Sequence, residues 1–137
     1  MASWFSLLSI IGVSLTALYL LILGGAALAR PALAKTFLGG FVSSAATHFA
    51  EVALRILAGL ALVSAAPRML GTPAVAAFGW ILVGTSLILA VVPWRLHQRF
   101  AAWSVPRATA HLPLIGVASI AAGCALVTAL CLPRAAG

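Results

Sequence analysis

Four long apolar runs divide this chain of 137 residues and constrain its fold more than any other feature. They cover Trp4–Ala29, Phe41–Ala66, Thr72–Val92 and Leu112–Leu132. Each run is long enough to cross a hydrocarbon core of about 30 Å as an α-helix, which takes about 20 residues. A helix also satisfies its own backbone hydrogen bonds in lipid. The sequence therefore predicts an all-α membrane protein with four transmembrane helices.

The composition supports a location within the bilayer. Hydrophobic residues make up 64% of the chain and charged residues 7%, whereas soluble domains carry about 25% charged residues. Four spans use roughly 80 residues, so little chain remains for a soluble domain. We therefore expect a single integral membrane domain over residues 1–137.

The first run has an alternative interpretation as a secretory signal peptide, because Ala27-Leu28-Ala29 resembles a small-residue cleavage site. However, no Lys or Arg precedes the run, and it is longer than the roughly 7–15 apolar residues typical of a signal peptide. We expect it to be a retained helix.

The basic residues predict how the chain is oriented. Five lie in the first and third loops, and two follow the second and fourth runs; the first set is Arg30, Lys35, Arg95, Arg99 and Arg107, and the second is Arg68 and Arg134. Lys and Arg are enriched in cytoplasmic loops. We expect both termini to lie outside the cytoplasm, with a bacterial inner membrane as the location. Membrane lipids, and not nucleic acid, are the expected partners of the net charge of +7.

Glu51 is the only acidic residue of the chain, and it lies inside the second run. Arg55 follows four residues later, so the two side chains share one helix face. A helical projection places five polar residues within an arc of about 120°: Ser44, Thr47, His48, Glu51 and Arg55. We expect this intramembrane polar face to point toward protein or a watery cavity, because lipid supplies no hydrogen-bond partners.

Two interpretations of the pair stay open. It is either a structural ion pair or part of a site that handles protons, ions or a ligand. The depth of the pair distinguishes the two. If the helix begins near Phe41, Arg55 lies close to the bilayer centre and function is favoured. If the helix begins near His48, both charges lie near the cytoplasmic interface, which favours simple anchoring.

The third loop contains its own apolar pattern. Leu96, Phe100 and Trp103 recur at positions i, i+4 and i+7, and Trp94 begins the segment. This spacing predicts a short amphipathic helix between the third and fourth spans, lying in the membrane interface. Its aromatic and basic residues either anchor the helix hairpin or form a docking surface for lipid or protein.

Small residues follow one face of the fourth span. Gly116, Ser119 and Gly123 share that face, and small residues let helix backbones approach closely in membranes. We expect this face to pack on another helix, either of this chain or of another.

The sequence argues against several chemistries. His48, His97 and His111 all lie toward the predicted cytoplasmic side, but one carboxylate and no HExxH or CxxC spacing make a poor metal site. Cys124 and Cys131 lie on one helix face about 10.5 Å apart along its axis, too far for a disulfide. A single acidic residue also excludes a carboxylate pair for acid–base catalysis. We expect no catalytic residue, no cofactor and no metal, and hence no enzyme.

Two classes of function remain. The first is a small accessory or assembly subunit that packs its helices against a larger membrane protein complex. The alternative is a small homo-oligomeric proton-coupled transporter that uses the Glu51 face of the second helix. The small loops and the lack of soluble chemistry favour the subunit.

Overall fold

The computed structural model describes residues 2–41 and 43–132, and within these ranges it contains helices and no strand. Six α-helices follow one another: α1 (Ala2–Ala29), α2 (Pro31–Gly40), α3 (Ala45–Ala65), α4 (Thr72–Val91), α5 (Trp94–Ala110) and α6 (Leu112–Cys131). A short 3₁₀ turn, Ala66–Arg68, ends α3. Four of the helices, α1, α3, α4 and α6, are long and apolar enough to cross a membrane. The prediction of an all-α protein with four spanning helices is confirmed.

The second span begins four residues later than the apolar run suggests, at Ala45 instead of Phe41. Ser44 has an extended backbone and caps the helix: its Oγ accepts a hydrogen bond from the backbone N–H of Thr47 at 3.2 Å. In return, Thr47 Oγ1 accepts from the Ser44 backbone N–H at 3.1 Å. This reciprocal capping box satisfies two otherwise unpaired donors and determines where the helix starts.

The segment before this cap forms α2, a helix that hydropathy alone does not predict. Pro31 is its first residue, where the missing proline N–H costs no helical hydrogen bond. Ala34 is the buried residue of α2 and packs with Ala27 and Leu112. The first loop is therefore a short helix that packs against the ends of α1 and α6.

The four spanning helices make their main contacts in the order α4, α3, α1, α6, and each is antiparallel to its neighbour. Glycine residues let the two outer pairs of helices, α3 with α4 and α1 with α6, approach closely. Gly59 of α3 lies against Gly79 of α4, and Gly116 and Gly123 of α6 lie against α1. A Cβ added at Gly123 would lie 3.1 Å from the carbonyl oxygen of Ala17. Close backbone approach of this kind is the usual basis of helix association in membranes.

Polar contacts connect the spanning helices at the end of the bundle that contains the turn between α3 and α4. Arg68 donates hydrogen bonds to the Ser6 hydroxyl of α1 and to the carbonyl oxygen of Ser64. The backbone N–H of Leu70 donates to the carbonyl oxygen of Ala129 in α6 at 3.2 Å. The main apolar core lies beside these contacts, with Val13, Ala17, Leu62, Met69 and Leu126 among its members.

The helices α2 and α5 lie at the opposite end of the bundle. The connection from α4 to α5 is only two residues long, and His111 alone separates α5 from α6. The basic residues of the first and third loops, Arg30, Lys35, Arg95, Arg99 and Arg107, are all exposed at this end. We call it the basic end of the molecule.

Candidate functional site

The polar face of α3 forms a cluster with α4 and α5 toward the basic end. Arg55 is its centre and lies midway along α3. Its guanidinium donates through Nη1 to Glu51 Oε1 at 3.4 Å. Nε donates to Ser86 Oγ and Nη2 to Thr85 Oγ1, both at 3.2 Å. The same side chain therefore forms an ion pair within α3 and two hydrogen bonds across to α4.

The hydroxyls of α4 are held in position to accept these bonds. Ser86 donates to the carbonyl oxygen of Leu82 at 2.6 Å, and Thr85 donates to that of Ile81 at 2.8 Å. Each hydroxyl hydrogen is thus bound to the helix backbone, which leaves the oxygen lone pairs free to face the guanidinium. Ser86 is 0% exposed, whereas Thr85 lies at the exposed edge.

The ion pair of α3 is partly accessible. The Glu51 side chain is 23% exposed and that of Arg55 is 36% exposed. The distance of 3.4 Å is longer than the roughly 2.7–2.9 Å of a tight charge-assisted hydrogen bond. Because α3 and α4 are antiparallel and Arg55 is level with Ser86, Glu51 is level with the last residues of α4. Arg55 lies in the middle of its own helix, whereas Glu51 lies near the end of the neighbouring one.

His48 is the most buried polar residue of the predicted polar face. It is 1% exposed, and neither of its ring nitrogens has a hydrogen-bond partner within the part of the chain that the structure describes. Its ring lies 4.7 Å from the ring of His97, centroid to centroid, and 5.1 Å from that of Phe49. His97 belongs to the first turns of α5, so the two histidines join α5 to α3.

The pKa of His97 lies below its ordinary value of 6.5. Burial is the main cause, because it disfavours the charged form, and the neighbouring charges of His48 and Arg55 act in the same direction. Glu51 opposes them. His97 is consequently neutral at pH 7, with one nitrogen as a donor and the other as an acceptor.

The five residues of the predicted polar face do not form one continuous seam. His48, Glu51 and Arg55 lie in the cluster described above, whereas Ser44 and Thr47 form the capping box at the start of α3. Over residues 2–41 and 43–132, no group of three His, Cys, Asp or Glu side chains is placed to hold a metal ion. The cluster offers a carboxylate, a guanidinium, two hydroxyls and two imidazoles, which are groups suited to exchanging protons or to holding helices together.

The predicted anchor residues lie on α5, which continues beyond Trp103 to Ala110. Leu96, Phe100 and Trp103 are exposed, and Trp94 is half-buried. The Arg107 guanidinium stacks over the Trp103 ring at 4.1 Å and donates to the Trp103 carbonyl oxygen at 2.6 Å. An apolar surface and a stacked cation are thus presented together on α5.

Two of the three predicted packing residues, Gly116 and Gly123, lie on the side of α6 that faces α1. A Cβ at Gly116 would lie 3.0 Å from the Leu28 side chain, and one at Gly123 would lie 2.8 Å from that of Leu21. Ser119 lies between them and is half-buried. The neighbouring helix at Gly116 and Gly123 is therefore α1 of the same chain.

Three residues of the cluster are missing from the predicted polar face: Thr85, Ser86 and His97. Thr85 and Ser86 are adjacent hydroxyl residues within the otherwise apolar run of α4, which was the available signal. Periodicity within α3 identifies the face that Arg55 shares with Glu51, but it does not identify the neighbouring helix. For His97, the short connection between α4 and α5 was the available indication.

Comparison of the chain with protein-family models, with curated proteins and with solved structures gave no match.

Proposed function

We propose that this chain is a small accessory or assembly subunit that packs its helices against a larger membrane protein complex. The observation that carries the proposal is Gly84, which lies on an exposed face of α4 with no atom within 4 Å of the place a Cβ would occupy. Glycine within a helix costs about 1 kcal/mol relative to alanine. Gly59 and Gly79 offset that cost by close packing within the chain, and Gly84 has no such neighbour among the described residues.

The surroundings of Gly84 fit a helix-docking surface. Trp80, Ile81, Leu87 and Ile88 are all exposed large apolar residues of α4. A glycine among large side chains forms a notch that lets a second backbone approach closely. This supports a transmembrane helix of another protein as the occupant.

The cluster around Arg55 supports a structural role for the ion pair. Each terminal nitrogen and Nε of the guanidinium has an acceptor within the chain, on Glu51, Thr85 or Ser86. Removing one of these acceptors would leave the cation incompletely paired, so the two bonds to Ser86 and Thr85 favour the close pairing of α3 with α4. On this reading Arg55 locks α3 to α4 and thereby presents the outer face of α4 in a constant position.

The test is affinity purification from native membranes in mild detergent, comparing the unchanged chain with Gly84→Leu. We expect a stoichiometric larger partner with the unchanged chain and its loss with Gly84→Leu, while the chain itself still inserts and keeps its helix content. Ala53→Leu is the matched control, because Ala53 is an exposed small residue on another helix, α3, and is not a glycine. Recovery of an unaltered complex with Gly84→Leu would contradict the proposal.

We further propose the orientation and setting of the molecule. The basic end faces the cytoplasm of a bacterium, both termini lie outside, and α5 lies along the membrane surface. The exposed basic residues at one end support the orientation, because Lys and Arg concentrate in cytoplasmic loops. The exposed Leu96, Phe100 and Trp103 support the position of α5.

A specific observation favours a second function. Glu51 is 23% exposed and lies in the same cluster as the two histidines, an arrangement suited to proton exchange. A homo-oligomer that places Glu51 on a shared path would be a proton-coupled transporter. Purification as a homogeneous homo-oligomer, together with proton-coupled flux that Glu51→Gln abolishes, would favour this function over the accessory role.

A further inference from the structure

His48 is an unusual group for the interior of a membrane protein. Buried polar atoms are nearly always hydrogen-bonded, because leaving one without a partner costs free energy. Both nitrogens of His48 have no partner within the described residues, and the side chain is 1% exposed. The ring is covered by two other rings, those of Phe49 on its own helix and His97 on α5.

Among the residues that the structure describes, the surroundings of His48 supply no hydrogen-bond acceptor for an additional N–H donor. An imidazolium has two N–H donors and no acceptor, and His48 faces no acceptor for either nitrogen within the described residues. The carboxylate of Glu51, one turn away, is bound by Arg55. A proton on His97 would thus add a cation to a contact that already lies near the Arg55 guanidinium.

We propose that the His48–His97 contact is a proton-sensitive joint, which holds α5 against α3 at neutral pH and releases α5 in acid. Protonation of His97 becomes more favourable when the rings separate, because its imidazolium then reaches water. His97 is the part of the joint that moves, since α5 makes few contacts with the rest of the molecule and His97 is already half-exposed. The inference does not depend on the accessory role proposed above.

The direction follows from proton linkage. Burial lowers the pKa of His97, so α5 binds protons more weakly when docked than when released. Docking is therefore favoured at a pH above the ordinary value of about 6.5 and is lost as the pH falls through the lowered value. The titration window lies below the ordinary histidine range.

The charged and titratable groups near His97 lie on α3, α5 and α2. On α3, Glu51 favours the protonated form of His97, and Arg55 and His48 oppose it. On α5 itself, Arg95 and Arg99 are exposed and add positive charge. On α2, Lys35 is exposed. The surroundings are cationic overall, which also favours release in acid.

The test is a distance measurement between α3 and α5 on the full chain in nanodiscs of zwitterionic lipid. Spin labels at Ala50→Cys and Ala102→Cys use exposed positions on the two helices, after replacement of the exposed Cys124 and Cys131 by alanine. Pulsed electron resonance at about pH 8 and about pH 5 brackets the histidine range. We expect a second, longer distance in acid. The population with the longer distance, relative to the population with the short one, rises by up to about tenfold per pH unit between the ordinary and the lowered pKa of His97.

Matched histidine variants identify the responsible ring. His97→Gln is expected to remove the pH response, and His111→Gln, at the exposed junction between α5 and α6, is expected to keep it. An unchanged distance between the two pH values, a shorter distance in acid, or an unaltered response in His97→Gln would overturn the proposal.

Discussion

Gly59 and Gly79 face each other so closely that a Cβ on either would lie 2.9 Å from the carbonyl oxygen of the other. The contact is reciprocal and involves backbone, so no side-chain rotation relieves it. Each would also meet a valine, since a Cβ at Gly59 reaches Val83 and one at Gly79 reaches Val63. The two glycines thus mark a close approach of α3 and α4, and the hydrogen bonds of Arg55 to α4 lie along the same interface.

Gly79→Ala is expected to destabilise the fold by about 1–3 kcal/mol, because the added methyl group forces two helix backbones apart. Unfolding in mixed detergent, followed by circular dichroism, measures the change. Gly84→Ala is the matched control on the same helix, and with open space around it the variant is expected to be neutral or more stable by up to about 1 kcal/mol. Equal effects of the two variants would contradict the close approach of α3 and α4.

Glu51→Gln tests whether the ion pair is structural. The change leaves the Arg55 cation with two hydroxyl acceptors and no counter-charge, and we expect a loss of about 1 kcal/mol, since both groups are partly exposed. The double variant Glu51→Gln with Arg55→Leu is expected to be more stable than the single one, because it removes the uncompensated charge.

Unfolding free energies and proton flux into proteoliposomes are measured on both variants. Lost flux with unaltered stability in Glu51→Gln would favour the transporter. Normal stability and normal flux would reject both interpretations of the pair.

Ser86→Ala is expected to cost about 1–2 kcal/mol, because it leaves Arg55 Nε without its buried acceptor. Thr85→Ala removes the neighbouring bond at an exposed edge, where other partners can substitute, so its effect should be smaller. The same unfolding measurement ranks the two. A larger loss in Thr85→Ala would show that burial of Ser86 does not determine the strength of the cross-helix bond.

The proposed position of α5 predicts a difference in depth along one helix. A spin label at Phe100 should collide readily with dissolved oxygen, which concentrates in lipid, and a label at Gln98 should collide with a water-soluble nickel reagent. Power-saturation measurements on the full chain in vesicles report both. A Phe100 label that behaves as if in bulk water would place α5 away from the membrane surface.

The proposed orientation predicts opposite reporter signals at two sites. Alkaline phosphatase, which is active only outside the cytoplasm, should be active when fused at the carboxyl terminus. The same enzyme inserted between residues 95 and 107 should be inactive, and a cytoplasmic fluorescent reporter should show the reverse. A carboxyl terminus in the cytoplasm would contradict the distribution of Lys and Arg as the determinant. Arg134, part of that distribution, lies outside the described residues.

The four spans could be predicted because hydropathy over about 20 residues is a strong signal. The start of α3 could not be predicted from hydropathy, since Phe41 is as apolar as the helix interior. A capping box places the boundary at Ser44, and with Thr at the N3 position it is a weaker signal than the usual form with Glu or Gln. The helix α2 was missed for a related reason, because ten residues are too few to cross a membrane.

The candidate site could be predicted only within one helix. The spacing of Glu51 and Arg55 indicates a shared face, and the structure pairs them. Ser86 and His97 come from other helices, and nothing in the periodicity of α3 specifies which helices pack against it. Tertiary contacts between apolar helices depend on where backbones come close, so the positions of Gly59 and Gly79 were as informative as any polar residue.

The helix α5 connects α4 to α6, the two helices at opposite ends of the packing order. Its 17 residues measure about 25 Å at the usual helical rise, close to three interhelical spacings of about 8–10 Å each. With two residues before it and one after it, both ends of α5 stay close to α4 and α6, so α5 leaves α3 by tilting between these two ends. The length of α5 therefore acts as a spacer that sets the width of the molecule at its basic end, and any change in its tilt is passed on to both outermost helices at once.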